Sequence, residues 1–212
     1  MEKETQFSEI KKANKIWAIG SIHSRLESFI SIKNHLLDNF SKDDYVVFLG
    51  NVIGLGDKTK ETLTSVIDLR NQLMAKHLIK PKKIIFLRGA QEEMFLKLLQ
   101  LQTAPNPRDI LEWMFEHGVD NTIKSYGFDK KDILNLSSQG TIAISKWTTK
   151  LNNAILNQPG HKQYFTHLKH AAYGESREIL FLNRGVDVSR PLSAQNDCFW
   201  WGYQNFSDLN KP

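Results

Sequence analysis

The polar residues able to do chemistry gather in short loops, each following an apolar run. These loops are Gly20-Ser-Ile-His-Ser (20–24), Gly50-Asn-Val-Ile-Gly-Leu-Gly (50–56), Gly89-Ala-Gln-Glu (89–92) and Asn183-Arg-Gly (183–185). An apolar strand ending in a glycine hinge before a helix is a common frame for a phosphate or metal site. The second loop, inside "VFLGNVIGLGD" (47–57), keeps such a glycine frame, yet Asn51, Gly54 and Leu55 carry no ionisable group. His23 is the imidazole among these loops, and Arg25, Arg88 and Arg184 lie on or beside them. Guanidinium groups around a neutral cleft would hold an anion such as a phosphate. The plainer alternative is arginines that are solvated or paired, and a structural His23 held by hydrogen bonds. Ser24 next to His23 gives no nucleophile geometry, because neighbours on a loop rarely align.

Other constellations are weaker. His161, His167 and His170 are close in sequence, and His167 and His170 are spaced to share a helix face. Without accompanying carboxylates this reads as a surface face rather than a zinc site. Phe199-Trp200-Trp201 with Tyr203 is a dense aromatic segment. It is either core or, if exposed, a surface for a partner or a second copy.

The elements that must position these loops follow from apolar patterning. "KIWAI" (15–19), "YVVFL" (45–49), "KIIFL" (83–87) and "EILFL" (178–182) read as four buried strands. Helices are expected at 24–40, 59–79 and 90–101, where apolar residues recur near helical spacing. Continuous β-branched and aromatic runs between helices predict parallel strands buried on both faces. Residues 102–150 read as less regular, with a helix at 110–118 and a turn closing 121–127. Residues 163–174 read as a helix running into a turn.

Composition narrows the classes. The 212 residues are 41% hydrophobic and 24% charged, which suits one domain with a proper core. The charged N-terminus lacks an apolar h-region, and no apolar run reaches the roughly 20 residues of a membrane helix. One cysteine, Cys198, excludes an internal disulfide and a thiolate metal cluster. A cytoplasmic location is expected. Net charge is +5, but the basic residues are scattered in short clusters, which argues against a nucleic-acid surface. Residues 1–14 read as an N-terminal extension and 15–212 as one domain.

At its four loops the chain resembles the calcineurin-like metallophosphoesterases. The likeness is strongest to the bacterial branch near the serine/threonine protein phosphatases and diadenosine tetraphosphatases. That family carries G-D-x-H-G, G-D-x-x-D-R-G, G-N-H-E, H-A-G and a late G-H-T. Here "IWAIGSIHSRLESF", "VVFLGNVIGLGDKTKETL", "IIFLRGAQEEMFLKLL" and "ILFLNRGVDVSRPLSAQNDCFWWG" lie on the first four in order. "EWMFEHGVDNTIKSYG" is similar to the family's linker to its second sheet. The resemblance implies an α/β fold, the two-sheet αββα sandwich of the metallophosphoesterases, shortened at the C-terminus where G-H-T is missing.

The family's chemistry uses two divalent metals, such as manganese or an iron–zinc pair. A metal-bridging water attacks phosphorus, and the histidine of G-N-H-E assists the leaving group. Carried over position by position, the first aspartate is Ser21, and the histidine two residues on is kept as His23. The bridging aspartate is Asn51, and the second aspartate and the arginine of that loop are Gly54 and Leu55. The asparagine and histidine of the third motif are Ala90 and Gln91, leaving Glu92. The histidine of H-A-G is Asn183, and the arginine after the last tryptophan falls at Gly202.

A dinuclear site of hard cations needs carboxylate oxygens and imidazole nitrogens. Asn51 keeps the shape of the bridging residue without its charge, and Ser21 and Ala90 cannot replace ligands. Aspartates kept without metals would be unpaired buried charges, so neutralising them together relieves a penalty. The expectation is a catalytically inactive pseudophosphatase that needs no cofactor and binds a protein or a phosphorylated ligand. The competing expectation is an active phosphoester hydrolase with a non-standard or single-metal site. A third is a structural subunit that docks, or self-associates, through the C-terminal aromatic segment.

Overall fold

The computed structural model describes residues 6–195 and 197–202. Six strands and nine α-helices occur among them, and the strands form two three-stranded sheets. The first sheet holds β2 (Ile16–Ile19), β3 (Tyr45–Phe48) and β4 (Ile84–Phe86), all parallel. The second holds β1 (Phe7–Ile10), β5 (Ala171–Gly174) and β6 (Leu180–Phe181) in the order β1-β5-β6. β1 and β5 are parallel, and β5 and β6 are antiparallel. A single parallel bridge, Leu87 to Lys169, joins the two sheets.

The first sheet explains its own sequence. All four residues of β3 are buried, because each face of the sheet is covered. Val46, Phe48, Ile84 and Phe86 pack with Phe29 and Leu36 of α1 (Leu26–Asn39) and with Leu63, Val66 and Leu73 of α2 (Thr59–His77). On the opposite face, Tyr45, Val47, Ile85 and Leu87 meet Ile10, Ala172 and Phe181 of the second sheet. Strands covered on both faces lose the in–out alternation of a half-exposed sheet, hence the unbroken apolar runs. The chain then enters α3 (Ala90–Leu98) directly from the loop after β4.

Three expectations are corrected. Residues 102–150 are largely helical: α4 (Pro107–Glu116), α5 (Val119–Ser125), α6 (Lys130–Ser137) and α7 (Thr141–Leu156). The buried residues of α7 include Ile144, Trp147, Leu151 and Ile155, a helical stripe hidden among polar residues. α8 (His161–Thr166) is followed by a strand, not a turn. β5 is the centre of the second sheet, and its Ala171 and Ala172 have no exposure. Small residues are required there because both faces are packed, and alanine gives no β signal. Finally, "EILFL" is not a fourth buried strand. It shrinks to the two-residue edge strand β6, with Ile179 and Leu180 exposed at 45% and 39%. The position beside the end of β4 is taken by the chain at Lys169 instead.

Strand β1 lies inside the segment expected to be an extension. α9 (Cys198–Trp201) sets Phe199 and Trp200 against Ala171 on the outer face of the second sheet.

Candidate functional site

The loops after β2, β3 and β4 converge. The first two are zipped by backbone bonds: Ile22 N and His23 N donate to Asn51 O at 3.0 and 2.9 Å, and Ser24 N donates to Val52 O at 2.9 Å. The third is tied in by Glu92, which is wholly buried. Glu92 Oε2 accepts from Asn51 N at 2.7 Å and Gly89 N at 3.0 Å. Glu92 Oε1 accepts from Val52 N at 2.8 Å, Ile53 N at 3.3 Å and the Tyr164 hydroxyl at 3.2 Å. Burial pushes the Glu92 pKa up, and the converging backbone N–H groups pull the other way. This carboxylate is therefore a clamp that fixes loop geometry rather than a group offered to solvent.

Four positions where ligands were expected to be lost form one neutral network. Asn51 Nδ2 donates to Ser21 Oγ at 3.3 Å and to Asn183 Oδ1 at 3.5 Å. Asn51 Oδ1 accepts from Gln91 N at 3.0 Å. Asn183 Nδ2 donates to Leu49 O at 2.7 Å, which fixes the orientation of that amide. Asn51 sits at φ 54°, a left-handed conformation that asparagine tolerates.

Gly54 and Gln91 fit each other as a pair. Gly54 has φ 83°, and a Cβ there would overlap the Gln91 side-chain amide. The Gln91 side chain fills that space and donates through Nε2 to His117 O at 2.8 Å. Leu55, at φ 60°, is exposed at 49% on the rim, with its carbonyl held by Asn121 Nδ2 at 2.7 Å. Ala90 opens α3 and contributes no donor atom to the cleft.

His23 is half-buried at φ 51°, and its Nδ1 is buried without a hydrogen-bond partner among the described residues. Burial first, then the Arg25 charge, lowers its pKa, with the nearby Ile53 backbone opposing. The expectation of a hydrogen-bonded structural histidine is thus not met at Nδ1. Ser24 Oγ turns to Thr59 Oγ1 at 2.7 Å, at the start of α2, and not to His23.

The three arginines divide. Arg88 is committed: its guanidinium pairs with Glu93 at 3.0 Å and lies 5.6 Å from the Trp200 ring centroid. Arg25 and Arg184 are exposed beside the cleft. A Cβ at Gly202 would come within 2.7 Å of Arg184 Cγ, so the glycine there makes room for the Arg184 stem.

The remaining candidates are structural. His161 is fully buried, with Nε2 3.0 Å from Thr64 Oγ1 and Nδ1 2.6 Å from the Tyr126 hydroxyl. Burial lowers its pKa to about 4. His167 and His170 do not share a helix face: His167 follows the last residue of α8, and His170 leads into β5. His170 packs edge-on to Trp200 at 5.1 Å. Phe199 and Trp200 are 1% and 5% exposed, so their rings are used inside the fold. Tyr203 lies outside the described residues.

A pair of divalent metals does not fit this donor set. Among the described residues, no three of His, Cys, Asp and Glu come together to hold a cation. The cleft offers one imidazole, neutral amides and a hydroxyl, whereas two adjacent cations need bridging negative charge. Sequence reasoning missed the clamp role of Glu92 and the hydroxyl of Tyr164 that supports it. The motif placed Glu92 at the start of α3, but its five partners come from three separate parts of the chain.

No protein-family model matches the sequence, and no curated protein matches it significantly. Among solved structures, a candidate diadenosine tetraphosphatase aligns over 89% of this chain and 59% of its own, with 12% identity and a TM-score of 0.44. A protein serine/threonine phosphatase from Saccharomyces cerevisiae, with similarity to human phosphatase PP5, aligns over 96% of this chain and 50% of its own, with 17% identity and a TM-score of 0.47. The chain thus spans between half and three-fifths of the length of the structures it matches. In the order of its loops and in its two-sheet α/β fold, the chain resembles the calcineurin-like metallophosphoesterases.

Proposed function

We propose that this protein is a pseudophosphatase: a metallophosphoesterase-like chain that does not hydrolyse phosphoesters and acts by binding a protein or a phosphorylated ligand. One observation carries the reading. Asn51, at the bridging position, spends its amide on Ser21, Asn183 and the Gln91 backbone. A group satisfied on both its donor and its acceptor side is a poor metal bridge, and a neutral one cannot offset two cations. The exposed Arg25 and Arg184 at the rim suit an anionic partner.

The competing reading, a hydrolase with a single metal, is favoured by the unpaired Nδ1 of His23. Metal analysis of the purified protein, with a generic phosphatase assay in added manganese, separates the two. The pseudophosphatase reading expects substoichiometric metal and no turnover above buffer. Stoichiometric metal with turnover that disappears in His23→Ala would establish the hydrolase instead. Binding is tested by thermal shift with a phosphopeptide, compared between wild type and an Arg25→Ala, Arg184→Ala variant. Stabilisation only of the wild type is expected.

A further inference from the structure

A cavity of about 650 Å3 lies away from the four loops, bounded by β1, the start of β4, α2 and α8. That is the size range of small-molecule sites. Its lining is apolar at Ile67 and Pro81, backed by the buried Ile84 and Phe86 of β4 and by Tyr164, the last two edge to face at 5.2 Å. Its walls are cationic. Lys11, Arg70 and Lys82 line it, with Lys169, which has an interaction of its own; among the described residues the lining has one carboxylate, Glu9, which Lys11 already holds at 2.8 Å. Arg70 is half-buried on α2, and neither it nor Lys82 has an ion pair or a hydrogen bond through its side chain among the described residues. Asn71 and Gln163 add neutral donors and acceptors.

A guanidinium withdrawn from water without a counter-charge is unfavourable, and an entering anion removes that penalty. The apolar lining would do nothing for a bare inorganic ion but would bury a flat ring. We propose that this cavity is a second ligand site that takes an aromatic phosphate, with the ring on the apolar lining at Ile67 and Pro81 and the phosphate between Arg70 and Lys82. The site reaches the loop cleft through one atom: the hydroxyl of Tyr164 donates to Glu92, the clamp of the second loop.

Phenyl phosphate is the test ligand, followed by calorimetry and thermal shift on the intact chain. Wild type is expected to bind it at least tenfold more tightly than inorganic phosphate. An Arg70→Gln, Lys82→Ala variant, whose changes touch only exposed or half-buried side chains, is expected to keep its circular dichroism spectrum and lose binding at least tenfold. The Arg25→Ala, Arg184→Ala variant of the loop cleft is expected to bind phenyl phosphate like wild type. Undiminished binding by the Arg70→Gln, Lys82→Ala variant overturns the proposal, as does an absence of binding by wild type. Equal affinity for inorganic phosphate overturns the aromatic half of it. Loss confined to the Arg25→Ala, Arg184→Ala variant moves the anion to the loop cleft, which leaves the pseudophosphatase reading standing.

Discussion

Placing a charge at one position gives a direct measure of what the cleft is built to hold. Asn51→Asp changes an amide to a carboxylate with almost no change of shape. Aspartate tolerates the left-handed backbone at φ 54°, so backbone strain is not altered. The variant loses one long donation, to Asn183 Oδ1 at 3.5 Å, about 0.5 kcal/mol, while the Ser21 hydroxyl at 3.3 Å can turn to donate to the new carboxylate. Asn183 cannot turn to compensate, because its Nδ2 is engaged by Leu49 O at 2.7 Å. Its oxygen therefore faces a carboxylate, which adds about 1–2 kcal/mol at a half-buried position. The Gln91 N–H now meets a charged acceptor and returns about 1 kcal/mol. The net is a destabilisation of about 1 kcal/mol, or about 2–4 °C for a domain of this size.

The sign with pH follows from the same geometry. The facing oxygens favour the protonated acid, so the introduced group has a raised folded pKa. Its penalty is present near neutral pH and disappears as the pH falls through that pKa. Denaturant and thermal melts at neutral pH and in the mildly acidic range, each with and without manganese, make the measurement. The reasoning is refuted if Asn51→Asp matches wild type at neutral pH. It is equally refuted if manganese raises the midpoint of the variant by several degrees, since donors would then still converge on a metal.

Other predictions rest on single contacts. Gly54→Ala forces a Cβ into Gln91 and should destabilise by at least about 2 kcal/mol. Adding Gln91→Ala should recover part of that in a denaturant titration and leave about 1–2 kcal/mol of left-handed strain. Glu92→Gln sets an amide NH2 against two of the backbone N–H groups that the carboxylate accepts from, leaving two buried donors unpaired whichever way the amide turns. It should destabilise by about 2 kcal/mol, with faster amide exchange at residues 51–53. His161, buried neutral with a pKa lowered to about 4, adds stability that is complete above its ordinary pKa and is lost as pH falls from about 6.5 toward 4. That loss is about 3 kcal/mol, and His161→Leu should flatten the stability profile in this window while lowering stability at neutral pH.

The first sheet and its loops are legible in the amino-acid sequence. β3 and β4 are covered on both faces, so "YVVF" and "IIF" are apolar throughout and readable without context. The neutrality of these loop positions was legible too, because residue identity settles whether a position can carry charge: no fold turns Asn51 into a carboxylate. The second sheet was not legible. Ala171 and Ala172 are small because two layers close on them, and that crowding exists only once α9 and the first sheet are in place. The apolar "EILFL" misled for the converse reason, since a run that looks buried becomes an exposed edge when another segment takes its place beside β4. Tertiary structure also decided what each polar residue does. Arg88 and Arg184 are alike as letters, yet one is held between Glu93 and Trp200 and the other is exposed. Glu92 has no meaning until the N–H groups of one loop, a helix start and a distant tyrosine converge on it. Charge is a property of the residue, but the partners that neutralise or use it are set by long-range packing.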